Sequence, residues 1–107
     1  MKVAYNACFG GFGLSEAGLR MLAALKNIDL SGMKFDHSSF HNKDWTVIFS
    51  APDDRSDKDL IKVIEALGAG AGSSCADLAI QEIPDGAEFE IDEYDGNESV
   101  VLPRQAW

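Results

Sequence analysis

Apolar positions along this 107-residue chain change their period twice, and the changes mark its elements. Lys2 to Tyr5 reads as a short strand. After a glycine-rich run, Leu19, Leu22, Ala23 and Lys26 recur at helical spacing, with Met21 and Leu25 widening the apolar face, which predicts a helix over about 16–27. Ser15 is placed as its N-cap, and Glu16 puts a carboxylate in the first turn, where the helix dipole favours it. Residues 28–45 lack a clean period and read as an irregular or weakly stranded connection. Trp45 to Phe49, rich in β-branched and aromatic types, predicts the central strand. Ser56 with Asp59 three positions on has the form of a capping box, and Leu60, Val63, Ile64 and Leu67 form one apolar stripe that Gly68 ends.

Beyond the connector Gly68 to Ser74 the period becomes two, with Leu78, Ile80, Phe89, Ile91, Val100 and Leu102 as its apolar members. Pro84-Asp85-Gly86 and Asp95-Gly96 are turn sequences, the second that of a tight hairpin. This pattern predicts a three-stranded antiparallel meander over about 78–83, 88–94 and 98–102. The expected fold is α+β: a single domain, 1–107, in which that meander and the N-terminal and central strands pack against two helices as a two-layer sandwich. With 46% hydrophobic residues the chain can bury a core. No apolar run approaches the length of a membrane span and the first six residues are too short and polar for a secretory signal, so the expected location is the cytoplasm.

Charge changes the picture most. Between Lys62 and Arg104 no Lys or Arg occurs, while Glu65, Asp77, Glu82, Asp85, Glu88, Glu90, Asp92, Glu93, Asp95 and Glu98 fall in that stretch. The rest of the chain holds all nine basic residues against eight acidic ones, so the net charge of −9 comes from the C-terminal part. A field of this sign repels nucleic acid and anionic membrane and steers cationic partners. In a strand, Glu88, Glu90 and Asp92 share the solvent face while Phe89 and Ile91 turn to the core. Their carboxylates then stand about 6.7 Å apart, twice the rise per strand residue, a spacing that can imitate a phosphate backbone. The plainer reading of the same residues is a charged, solvated sheet face.

Other candidate chemistry is thinner. The loop Phe9-Gly10-Gly11-Phe12-Gly13, followed by Ser15 at a helix start, is either a tight turn with both rings in the core or a ligand loop for a nucleotide, with glycine N–H groups near phosphate and rings for stacking. It matches neither a Walker loop nor a dinucleotide fingerprint. His37 and His41 lack a third ligand, and Asp92, Asp95, Asn97 and Glu98 lack the EF-hand order, so no metal or other cofactor is expected. Cys8 and Cys75 have no zinc spacing and read as small buried or loop residues. No catalytic constellation emerges, and an enzyme is not expected.

The segments Asn6-Ala7-Cys8-Phe9-Gly10-Gly11-Phe12-Gly13-Leu14-Ser15 and Ala76-Asp77-Leu78 through Ile83-Pro84-Asp85-Gly86-Ala87-Glu88-Phe89-Glu90-Ile91-Asp92-Glu93-Tyr94-Asp95-Gly96 resemble a set of small proteins of tailed bacteriophages. With the helix ending at Gly68, the resemblance covers roughly half the chain. The pattern differs where Phe89 replaces a frequent Trp, and most of all over residues 28–56. The resemblance implies a phage accessory protein acting in the host bacterial cytoplasm, and raises one class above others: an acidic inhibitor of a host or defence protein, such as a CRISPR effector, restriction enzyme or nucleic-acid-processing complex. The contact residues expected on that reading are Glu88, Glu90, Asp92, Glu93, Asp95 and Glu98, facing a basic nucleic-acid-binding surface, with no direct binding of nucleic acid or membrane. The alternatives are a nucleotide-signal sponge using residues 8–15 and a minor structural or assembly component.

Overall fold

Strand β1 spans Lys2–Asn6, helix α1 Glu16–Leu25, strands β2, β3 and β4 Lys34–Asp36, Ser39–His41 and Val47–Ser50, helix α2 Lys58–Leu67, and strands β5, β6 and β7 Leu78–Glu82, Glu90–Tyr94 and Asn97–Val101. A 3-10 turn, Gly68–Ala71, follows α2. These elements belong to a computed structural model that describes residues 1–9, 11–36, 38–73 and 76–102. The fold is α+β with antiparallel strands. Among the described residues no helix is long and apolar enough to cross a membrane.

Helix α1 forms where local chemistry places it. The Ser15 hydroxyl accepts the Gly18 N–H at 3.0 Å, satisfying one of the donors that a helix start leaves unpaired. At the other end Asn27 adopts φ 57°, and the N–H groups of Asn27 and Ile28 reach back to the carbonyls of Ala24 and Ala23 at 3.2 and 2.8 Å. This is a Schellman closure with Asn in the left-handed position, and it ends the helix two residues earlier than the spacing predicts. Helix α2 begins one residue later than expected. Asp57, not Ser56, is the N-cap, its carboxylate accepting the N–H groups of Asp59 and Leu60 at 2.9 and 3.0 Å. Ser56 is taken by Asp54, whose Oδ1 accepts both its N–H and its hydroxyl.

The Asp57 carboxylate also holds Lys26 of the preceding helix region at 2.9 Å, with Asp59 at 3.3 Å, so one group caps α2 and ties it to the end of α1. Burial is the largest influence on Asp57 and acts to raise its pKa, but the Lys26 hydrogen bond and the two N–H donors together hold it below the ordinary carboxylate value. A lowered folded-state pKa means that the stabilisation is complete above the unfolded value, about 3.9, and is lost as pH falls through the folded one. Acid unfolding below about pH 4 is therefore expected to be blunted in Asp57→Asn relative to the parent, although the variant is less stable at pH 7; urea titrations at pH 7 and pH 3 check this.

The two helices and strands β1, β3, β4 and β5 enclose one apolar cluster, containing Ala4, Leu14, Leu19, Leu22, Phe40, Phe49, Leu60, Val63, Ile64, Ala71 and Leu78. Close approach decides one position in it. A Cβ added at Gly18 would lie 2.8 Å from the backbone carbonyl oxygen of Ala71. Helix propensity favours alanine there by about 1 kcal/mol, but a clash with backbone has no flexible end to yield, and overpacking costs roughly 1–3 kcal/mol. Gly18→Ala is thus expected to lower stability, by about 1 kcal/mol net, as measured by denaturant midpoint.

Strand pairing departs from the expected meander. β5 pairs with β1 in the register Lys2↔Glu82 to Asn6↔Leu78, β2, β3 and β4 form a second sheet, and β6 pairs with β7 alone. The Val3 and Ala4 positions of β1 are fully buried, and β5 gains more by extending the ladder beside them than by folding back on the acid-rich β6. The Ile83 N–H continues that ladder onto the Met1 carbonyl at 2.8 Å before Pro84 and Gly86 turn the chain away. The central strand is also shorter than expected. Trp45, at φ 62°, belongs to the β3–β4 turn, where the Asn42 side chain accepts the N–H groups of Asp44 and Thr46.

Candidate functional site

The acid-rich hairpin β6–β7 is built by its turn. Asp95 and Gly96 take φ 52° and 87°, the pair of positive values that a two-residue hairpin of this hand requires, and Tyr94 stands opposite Asn97. Register then sorts the side chains. Glu90 and Asp92 share one face with Val101 and Ser99, while Ile91 and Glu93 share the other with Val100 and Glu98. Phe89, Ile91 and Val100 are only half-buried and lie outside the apolar cluster, so the expected insertion of Phe89 and Ile91 into the main core does not occur.

Polar contacts fasten the hairpin instead. Asn6, at the end of β1, is fully buried and is the centre of a hydrogen-bond knot. Its Nδ2 donates to the carbonyls of Cys8 and Gly96, both at 2.7 Å, its Oδ1 accepts the Asp77 N–H at 2.8 Å, and its backbone N–H donates to Glu98 Oε1 at 2.9 Å. The Glu98 side chain is 8% exposed and takes the Arg55 guanidinium as a two-point pair, at 2.6 and 3.0 Å. Arg55 in turn lies over the Phe12 ring, 3.8 Å from its centroid, and its carbonyl accepts the Ala4 N–H at 2.8 Å. The hairpin is thereby bound to β1, to the segment before α2 and to the Phe9–Ser15 loop.

Glu98 therefore does not share the exposed face expected for it, because its carboxylate is spent inside the molecule. Arg55 also resolves what would otherwise be like charges directly opposed, since Glu93 stands across from Glu98. Glu93 is exposed and accepts the Gly96 N–H at 3.0 Å. Glu88, Glu90, Asp92 and Asp95 are exposed, and none of the four makes an ion pair or hydrogen bond among the described residues. The contrast with acids elsewhere is plain: Glu16 pairs with Arg20, Glu65 with Lys2, Asp57 and Asp59 with Lys26, and Asp85 with the Met1 ammonium. Asp29, Asp44, Asp53, Asp54, Asp77 and Glu82 likewise have no ion pair among the described residues, and what sets this segment apart is that Glu88, Glu90, Asp92, Glu93 and Asp95 all fall between positions 88 and 95.

Two exposed rings adjoin them. Phe9 is 64% and Tyr94 78% exposed, and together with Asp92, Asn97, Glu98 and Ser99 they line a cleft of about 230 Å³. The Phe9–Ser15 loop splits accordingly. Phe9 stays outside the core, contrary to the tight-turn expectation, while Phe12 packs against it with one face under Arg55. Gly11 has the expected positive φ, 85°, and Gly10 lies outside the described residues. At the start of α1 two of the polar groups of the alternative ligand loop already have partners within the molecule. The Ser15 hydroxyl donates to the Gly70 carbonyl at 2.6 Å and its N–H to the Ala71 carbonyl at 2.8 Å. A neighbouring cleft of about 310 Å³ is lined by Phe12, Ser38, Ser39, Ser50, Asp53 and Arg55 among others, and the charge of Arg55 is already matched by Glu98.

Sequence reasoning missed Asn6 and Arg55. Their partners lie up to 92 positions away, and no local pattern distinguishes them from any other polar residue. Cys8 is free and exposed, whereas Cys75, like His37 and residues 103–107 with Arg104 and Trp107, lies outside the described residues. His41 stands on β3 with its ring 5.8 Å from that of Trp45. Among the described residues no group of three or more His, Cys, Asp or Glu is placed to hold a metal ion.

No protein-family model matches the chain, and neither the curated proteins nor the solved structures give a significant match.

Proposed function

We propose that this protein is a non-enzymatic binding protein whose β6–β7 hairpin docks on a basic, nucleic-acid-binding surface of a partner protein and occupies it. The observation that carries this reading is the set of exposed carboxylates left without cations among the described residues: Glu90, Asp92 and Asp95 on a hairpin that is itself clamped by Arg55–Glu98 and Asn6, and Glu88 two residues before β6, outside the strand expected to include it. Unpaired like charges cost stability through self-repulsion, and a fixed row of them is matched by Lys and Arg presented from another molecule. The clamp supplies what a solvated acidic tail lacks: a preorganised array that loses little freedom on binding.

The resemblance to tailed-phage proteins makes a host or anti-phage defence protein the partner of choice, a CRISPR effector, restriction enzyme or nucleic-acid-processing complex working in the host cytoplasm. Capture of the tagged protein's partners from bacterial lysate, followed by elution with rising salt, tests the reading. A single nucleic-acid-binding protein or complex, released as ionic strength rises, is expected. Recovery only of partners that resist high salt and lack a basic surface would overturn it.

A further inference from the structure

The cleft between Phe9 and Tyr94 has a chemistry that selects among cations. The exposed residues Phe9, Tyr94 and Asp92 line it together with Asn97, Ser99 and Glu98, and of its two acids Glu98 already has its bonds made to Arg55 and the Asn6 N–H while Asp92 has no ion pair among the described residues. Resting on the proposed docking role, we propose that this cleft receives an arginine side chain of the partner protein. A phosphate-bearing ligand is disfavoured by the carboxylates, and a purely apolar one would strand them without water.

The chain contains its own precedent. Arg55 is held by an aromatic ring on one side, with its centroid at 3.8 Å, and by a carboxylate at 2.6 and 3.0 Å. The Phe9–Tyr94 cleft brings together the same two kinds of residue, aromatic and acidic, in Phe9, Tyr94 and Asp92. A planar guanidinium stacks on rings and meets a carboxylate with two parallel N–H groups, whereas an ammonium is a strongly hydrated point charge that does neither as well. The general acidic face attracts any cation; this cleft discriminates arginine from lysine.

The test uses fluorescently labelled hexa-arginine and hexa-lysine peptides with the whole protein at about 50 and 150 mM salt, conditions that bracket the screening of exposed charges. Hexa-arginine is expected to bind about fivefold more tightly than hexa-lysine, and Phe9→Ala with Tyr94→Ala, which alters no charge, is expected to erase that advantage while leaving hexa-lysine unchanged. Both rings are exposed, so the fold is expected to persist by thermal melting; Tyr94→Ser alone carries the same expectation, with about a twofold loss for hexa-arginine. Equal affinities for the two peptides, or a hexa-arginine affinity indifferent to these variants, would overturn the arginine cleft while salt-sensitive binding of both peptides keeps the acidic-face reading intact. Failure of either peptide to bind at low salt would overturn both.

Discussion

Glu98→Ala is expected to cost about 3 kcal/mol of folding stability, the largest loss from any single acidic position in this chain. The Glu98 carboxylate is almost enclosed, and it satisfies two guanidinium N–H groups and the N–H of a fully buried residue at once. Its removal leaves Arg55, 19% exposed, as a largely desolvated charge over the Phe12 ring, and leaves the Asn6 N–H without its acceptor. Breaking one partner of such a pair is far more damaging than deleting both. Glu98→Leu combined with Arg55→Met is therefore expected to recover much of the loss, and urea denaturation of the two single variants and the double variant gives the coupling energy. A loss under about 1 kcal/mol for Glu98→Ala would place the pair among solvated surface bridges and leave the hairpin without its clamp.

The opposite balance is expected a few residues earlier. Glu88→Lys, Glu90→Lys and Asp92→Lys together are expected to weaken partner binding by more than about 100-fold, because each change turns an attraction into a repulsion at a charged interface. The same triple variant is expected to fold with stability within about 0.5 kcal/mol of the parent, since none of the three side chains has a partner to lose among the described residues. Its association rate is expected to fall the most, and to lose its dependence on salt. Binding measured by surface plasmon resonance against the captured partner, alongside a denaturation curve, checks both halves. Unchanged affinity would make the carboxylates a solvated face and nothing more.

These two predictions divide the acids of the hairpin into structural and exposed members, a division that the sequence does not carry. Register puts Glu98 on the face of Ile91 and Val100, and the partners that take up its carboxylate, the Arg55 side chain and the Asn6 N–H, stand 43 and 92 positions away. Elements fixed by local chemistry were legible: the Ser15 cap, the Asp95-Gly96 hairpin and the apolar stripe of α2 each depend on residues within a turn of one another. The start of α2 shifted by one residue because Ser56 and Asp57 both qualify as caps, and the contest is decided by Asp54 and Lys26. Sheet order was not legible. β5 could pair with β6 across a turn or with β1 across the whole chain, and the apolar side chains of β1 rather than the connecting loop decide it.

The same distinction applies to the Phe9–Ser15 loop, where two phenylalanines three apart have opposite fates. Phe12 is drawn under Arg55 and against the core, while Phe9 is left beside Tyr94 on the acidic hairpin. What reads in sequence as one glycine-aromatic ligand loop is in the folded molecule a structural half and an exposed half. The exposed half belongs to the same surface as the carboxylates, which brings the two sequence-level candidate sites together at one end of β6 and β7.

In the proposed complex this surface takes the place of nucleic acid on a basic protein. Equilibrium titration of the captured partner with its labelled nucleic acid, in the presence of increasing amounts of this protein, tests it most directly. Competition is expected: the apparent nucleic-acid affinity falls as protein is added, and the triple charge-reversal variant has no effect. A ternary complex in which the partner binds both with undiminished affinity would contradict it.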